Sequence, residues 1–174
     1  MLRSLISKLT GERLDPTRAW PVSSPATPVV DLARRTIGSL RFGDPIDGAH
    51  VFGRPDRFRW SQKDYCELLY AGAGFQIDFD AGRFVYVAFF VGSGAGLPES
   101  SDLRFTSVRI DGGEISSKSS VSDLQTLFGR PLSDDREDEE IVVCYVRNGL
   151  IIEFEAAPSG TLSRVGIFPS DKEA

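Results

Sequence analysis

Residues that usually carry chemistry are scarce in this chain. Of 174 residues, one is histidine, one is methionine and two are cysteine. A lone histidine, here His50, is usually a surface or half-buried side chain rather than a base. Two cysteines without clustered histidines cannot close a zinc site, so no metal and no cofactor is expected. No G-x-S-x-G elbow, phosphate-binding loop or dinucleotide fingerprint occurs. Gly92-Ser93-Gly94-Ala95-Gly96 is glycine-rich, but no helix with a Lys-Ser/Thr pair follows, so it reads as a linker. A net charge of −5 disfavours indiscriminate binding to nucleic acid. No apolar run approaches the length of a membrane-spanning helix. Arg3 and Lys8 interrupt residues 1–11, where a signal peptide needs an unbroken apolar stretch. No cysteine near the start offers a lipid attachment point. Both observations give the expectation of a cytoplasmic protein. Leu2, Leu5, Ile6 and Leu9 recur at helical spacing and read as a short helix.

What the chain does have is an internal echo. Phe52-Gly53-Arg54-Pro55 returns as Phe128-Gly129-Arg130-Pro131, with Asp47 and Asp123 at the same spacing ahead of them. Tyr70 and Gly74 are answered by Tyr145 and Gly149, and the strand-like run from Phe75 to Phe79 by that from Leu150 to Phe154. Self-similarity at fixed spacing predicts one supersecondary unit used twice. The expected division is an N-terminal helix and Pro-rich linker over 1–28, a first repeat over 29–101 and a second over 102–174.

Each unit reads as a short helix followed by strands. Asp31 is a candidate cap for a short helix reaching Thr36. Asp44-Pro45 looks like the entry of a helix that runs to Phe52. Ser120 caps a second helix from Val121 to Phe128, with Leu124, Leu127 and Phe128 on one buried face. Gly53 and Gly129 then stop the helices, and Pro55 and Pro131 prevent their continuation. The expected strands are Tyr65–Tyr70, Phe75–Asp80, Phe84–Val91, Leu103–Ile110, Ile141–Val146, Leu150–Glu155 and Leu162–Phe168. Period-2 alternation of Phe75, Ile77 and Phe79 with Gln76, Asp78 and Asp80 puts one face on a core and one toward water. If Val87 and Phe89 are core, Tyr86 stands on the wet face. Cys66 and Cys144 align with apolar residues of the opposite copy, so both read as buried free thiols. The resulting fold class is α+β, two tandem repeats of a short helix and an antiparallel β-meander.

The paired Asp and Phe-Gly-Arg-Pro motifs, each followed by a strand pair, resemble the β-lactamase-inhibitor-protein fold over roughly residues 40–170. A single copy resembles the outer-membrane assembly lipoproteins of the SmpA/OmlA type. The inhibitors carry disulfides and a signal peptide, and the lipoproteins an N-terminal lipidated cysteine; neither feature is found here. The resemblance implies a concave sheet used for protein binding.

The functional expectation is therefore a non-enzymatic protein-binding module, an immunity or inhibitor protein that neutralises a protein partner such as a basic toxin or enzyme. The alternatives are an assembly or scaffold module, and a small-ligand-binding or enzymatic domain. Nucleic acid is not an expected partner, and the oligomeric state is left open. Six residues are singled out for partner binding. Trp60 and Tyr86 are aromatic anchors, since Trp and Tyr dominate binding hot spots. Asp134, Asp135 and Glu137 belong to an acidic run that would steer a basic partner. Arg164 is a cation on the wet face of the second unit. The paired carboxylates Asp78/Asp80 and Glu153/Glu155 read as ordinary solvated groups.

Overall fold

The computed structural model describes residues 14–94 and 96–170; the helix expected over residues 1–11 lies outside them. The α+β expectation is corrected. The chain is mostly β, with two sheets and, among the described residues, one α-helix.

The larger sheet has eight antiparallel strands in the order β10-β11-β12-β13-β7-β6-β5-β4. Its first half is β4 (Arg57–Trp60), β5 (Tyr65–Tyr70), β6 (Phe75–Asp80) and β7 (Arg83–Phe90). Its second half is β10 (Ser133–Arg136), β11 (Ile141–Arg147), β12 (Leu150–Ala156) and β13 (Leu162–Pro169). Each half is a meander of neighbours in sequence, and the two join where β7 pairs with β13, Val87 opposite Ile167 and Phe89 opposite Val165. The edge strands β4 and β10 are not among the expected strands. Their charged sequences, Arg-Phe-Arg-Trp and Ser-Asp-Asp-Arg, suit sheet edges, where charge discourages pairing with a further chain.

The smaller sheet was not foreseen. It contains β1 (Val30–Asp31), β2 (Thr36–Ile37), β3 (Leu40–Arg41), β8 (Val108–Ile110) and β9 (Gly113–Ile115), in the order β3-β2-β1-β8-β9. The expected helix from Asp31 does not form: the Asp31 carboxylate accepts the Arg34 N–H at 2.8 Å, as a helix cap would, but only a turn over residues 32–35 follows. Arg35, at φ 57°, then reverses the chain into β2. Of the strand expected over residues 103–110, only Val108–Ile110 is strand, and it runs parallel to β1.

The helices are also revised. Ile46–Phe52 is a 3-10 turn, not an α-helix. Asp44 does not cap it; its carboxylate accepts the Arg41 N–H at 2.8 Å. Helix α1 (Val121–Phe128) forms as expected, with a reciprocal cap in which Ser120 Oγ accepts the Asp123 N–H and the Asp123 carboxylate accepts the Ser120 N–H. Leu124 and Phe128 are buried beneath it, whereas Leu127 is 46% exposed.

One apolar layer holds these parts together. It takes Leu68 and Tyr70 from β5, Phe75, Ile77 and Phe79 from β6, Val87 and Phe89 from β7, Val165 and Ile167 from β13, and Ile152 and Phe154 from β12. Val30, Ile37, Leu40, Val108 and Ile115 of the small sheet, with Phe52, Leu124 and Phe128 of the helical turns, belong to the same cluster. A register shift after Asp78 sets Phe79 opposite Phe84. Phe84 and Val87 therefore both reach the core although they are three residues apart.

Candidate functional site

The face of the large sheet opposite this core carries most of the buried polar chemistry. Strand pairing sets its side chains in rows. One row runs Arg59, Glu67, Asp78, Tyr86. The next crosses all eight strands: Arg57, Leu69, Gln76, Ala88, Gly166, Glu153, Cys144, Ser133. The third runs Phe90, Arg164, Glu155, Val142, Asp135.

Residues 96–107 cover part of this face. Leu97 and Leu103 pack on Leu69, Ala71, Ala88 and Phe90. The Arg104 N–H donates to Ala71 O and the Thr106 N–H to Phe90 O, both at 2.9 Å. Arg57 donates to Glu99 O at 3.1 Å. Between this segment and the sheet lies a groove of about 360 Å³, lined in part by Arg57, Arg59, Glu67, Gln76, Tyr86 and Arg164.

The polar side chains are locked to one another. Asp78, only 5% exposed, accepts Tyr65 Oη–H at 2.8 Å and the Gln76 amide at 2.8 Å. Burial pushes its carboxyl up to about 6, against the lowering pull of those two hydrogen bonds. Glu155, equally buried, takes a charged hydrogen bond from Arg164. Glu153 is raised by burial and then by the neighbouring Glu155 carboxylate, with Arg164 opposing. Arg59 holds Glu67 through its Nε and Nη2, at 2.7 to 3.1 Å. Tyr86 lies across Gly166: a Cβ there would stand 2.8 Å from its hydroxyl and 3.4 Å from Glu153 Oε1. Burial pushes the Tyr86 hydroxyl above its ordinary range, with Arg164 opposing.

The expected site residues scatter. Tyr86 and Arg164 come together on this face. Trp60 does not join them. It pairs with Cys66 on the core side of β4, edge-on to Phe58 at 5.4 Å, and packs on the apolar layer. Asp134 and Asp135 sit on β10, at the opposite edge of the sheet from Trp60. Asp135 shares the polar face, in register with Val142 and Glu155. Asp134 is in register with the buried Val143 and pairs with Arg136 at 2.8 Å. Glu137 follows the strand and bonds through its backbone to Glu140 O. The motif residues act structurally: Gly53 and Gly129 end the helical turns at φ 76° and 74°, and Pro55 is buried.

Two readings of carboxylates and thiols change. Asp78 and Glu155 are buried members of a network, while Asp80 alone of the first pair is solvated. Alternation shows which face a residue joins, but cross-strand neighbours decide whether water still reaches it. Cys66 is buried as expected, but Cys144 is half-buried on the polar face, and burial pushes its thiol up. Tyr65 and Gln76 were not singled out. Gln76 reaches Asp78 from two residues back on the same strand, whereas Tyr65 reaches it diagonally from β5, through a pairing that local sequence does not specify.

The buried Asp78 makes stability depend on pH. Its carboxyl is raised from 3.8 to about 6 in the folded chain, so the folded state binds the proton more tightly than the unfolded one. The contribution is fully present below pH 4 and is lost as pH rises through 6, amounting to on the order of 3 kcal/mol. Asp78→Asn removes this slope. Its amide oxygen still accepts from Tyr65, and Gln76 can turn its own oxygen toward the new NH₂. Urea titrations between pH 4 and 8 are expected to show the variant gaining on the parent as pH rises; parallel curves would contradict the assignment.

No family model matches the chain, and no curated protein matches it. Two solved structures resemble it at low identity. A DUF4309 family protein from Bacillus subtilis is 15% identical, with 71% of this chain and 76% of that chain covered, at a TM-score of 0.46. A cysteine-rich secretory protein from Staphylococcus aureus is 12% identical, with 83% of this chain and 52% of that chain covered, at a TM-score of 0.39. The chain thus spans about half the length of the second. Among the described residues, no helix is long and apolar enough to cross a membrane.

Proposed function

We propose that this chain is a non-enzymatic protein-binding module, of the immunity or inhibitor kind, that receives a basic protein partner on the acidic half of its polar sheet face. One observation carries the reading: the in-register row from Arg164 through Glu155 and Val142 to Asp135, which continues into the acidic turn after β10. Toward β7 the charges are paired and locked. Toward β10 they are carboxylates at a sheet edge, where Asp135, Glu137, Asp138 and Glu139 are exposed. A locked polar network is pre-organised and loses little entropy on binding, and an acidic rim speeds encounter with a basic partner. Tyr86 and Arg164 remain assigned to this surface; Trp60, on the other side of the sheet, contributes through the core.

The test is association kinetics with the partner recovered by co-purification. Neutralising Asp134, Asp135 and Glu137 together is expected to lower the association rate about tenfold at low salt and flatten its salt dependence, with little change in dissociation. An unchanged association rate would place the contact surface elsewhere.

A further inference from the structure

The two Phe-Gly-Arg-Pro turns share a glycine at positive φ that closes a helical turn, but they differ in their surroundings. At the first, residues 21–23 lie across the turn. The Arg54 N–H donates to Pro21 O at 2.8 Å, and Ser23 Oγ donates to Phe52 O at 2.9 Å. Gly53 makes this approach possible, because a Cβ there would stand 1.9 Å from Ser23 Oγ. The Gly53 carbonyl is in turn held by Tyr70 Oη–H at 3.1 Å.

The second turn has no such strap among the described residues. Gly129 and Arg130 are exposed. The Arg130 N–H, the counterpart of the strapped Arg54 N–H, has no hydrogen-bond partner among them. Arg147 donates to Phe128 O from one side, leaving that oxygen a second lone pair. Tyr145, the counterpart of Tyr70, packs on Phe128 with ring centroids 5.3 Å apart and is 1% exposed. Its hydroxyl is buried without a partner, an arrangement that native proteins rarely keep. The two glycines differ in ψ, −169° at Gly53 and −143° at Gly129. Leu127 and Leu132, 46% and 63% exposed, flank the open turn in sequence.

We propose that the Phe128-Gly129-Arg130 turn is a docking site for an extended Pro/Ser-containing peptide segment of a partner protein. The chemistry is that of residues 21–23 at the first turn. A peptide carbonyl accepts the Arg130 N–H, a hydroxyl donates to Phe128 O, and an apolar ring such as proline covers Leu132. Gly129 turns toward the ψ of Gly53, which brings its carbonyl to the Tyr145 hydroxyl. This site is separate from the acidic sheet face and stands without that assignment.

The probe is a synthetic peptide of residues 19–27 added to the full ¹⁵N-labelled chain at millimolar concentration. In the free protein the Arg130 amide is expected to exchange with solvent rapidly. With peptide it should shift and exchange at least tenfold more slowly, while the Arg54 amide stays as it was. A peptide with Ser23→Ala should bind several-fold more weakly. Tyr145→Phe should weaken peptide binding about threefold yet raise the stability of the free chain, because that hydroxyl is buried at a cost there and satisfied only in the complex. Protection of Arg130 in the free chain would show that the chain's own residues cover the turn. Concentration-dependent shifts without peptide would make the occupant a second copy. Changes at Arg54 alone would mean exchange with the existing strap. Each of these three results overturns the proposal.

Discussion

Gly53→Ala is expected to lower stability by about 3 kcal/mol or more, and Gly129→Ala by only about 1–2 kcal/mol, although the two glycines occupy the same motif. Both stand at positive φ with extended ψ, a region open essentially to glycine and costing any other residue on the order of 1–3 kcal/mol. That strain is common to the two variants. The difference comes from what surrounds the missing Cβ. At Gly53 it would meet Ser23 Oγ at 1.9 Å and Pro21 O at 2.9 Å, a backbone atom that cannot swing away. Relief requires the strap to lift, which gives up the Arg54–Pro21 and Ser23–Phe52 hydrogen bonds at about 1 kcal/mol each. At Gly129 the nearest atom is Arg147 Nη2 at 3.4 Å, the end of a flexible side chain. Urea midpoints for the two variants measure the gap. Equal midpoints would show that residues 21–23 do not brace the turn in solution.

Arg164→Met is expected to cost about 3 kcal/mol, more than its partly exposed position suggests. Its side chain is 27% exposed, but the Glu155 side chain it pairs with is only 7% exposed. Removing the cation leaves a buried carboxylate uncompensated, the strongly destabilising way to break an ion pair. Glu153 beside it is already raised by burial and by Glu155, with Arg164 opposing, so the loss of Arg164 drives proton uptake at Glu153. The variant's stability should therefore recover as pH falls. Combining Arg164→Met with Glu155→Leu should restore much of the loss, because a packed apolar pair replaces a buried ionic one at little net cost. A double-mutant cycle followed by thermal unfolding reads the coupling directly. Additive losses would mean that the two side chains do not depend on each other.

How far the fold could be read from sequence differs between its two sheets. Six long strands, β5 to β7 and β11 to β13, announce themselves through alternation or apolar β-rich runs and through turn glycines such as Gly82 and Gly149, both at positive φ. Each is long enough for a pattern of period two to show. The strands of the small sheet are two or three residues long, too short for any period. They exist because β1 finds β8 across more than seventy intervening residues, and nothing local to Val30 encodes that meeting. The same holds for β4 and β10, whose charged sequences look like loops until they pair at the edges of the large sheet.

The site divides along the same line. Sequence alternation by itself determined that Asp78, Glu153 and Glu155 leave the core, and placed Tyr86 with them only on condition that Val87 and Phe89 face inward. Tertiary structure alone decided that Asp78 and Glu155 nonetheless escape water, since strand pairing brings Tyr65 of β5 onto Asp78 and Arg164 of β13 onto Glu155. It also decided that Trp60 and Tyr86 look in opposite directions. An aromatic in a polar stretch reads as an anchor until strand register sets Trp60 opposite Cys66, on the core side of the sheet. Local sequence carries the period of a strand. The face that meets water, and how much water remains there, are properties of the strands it pairs with.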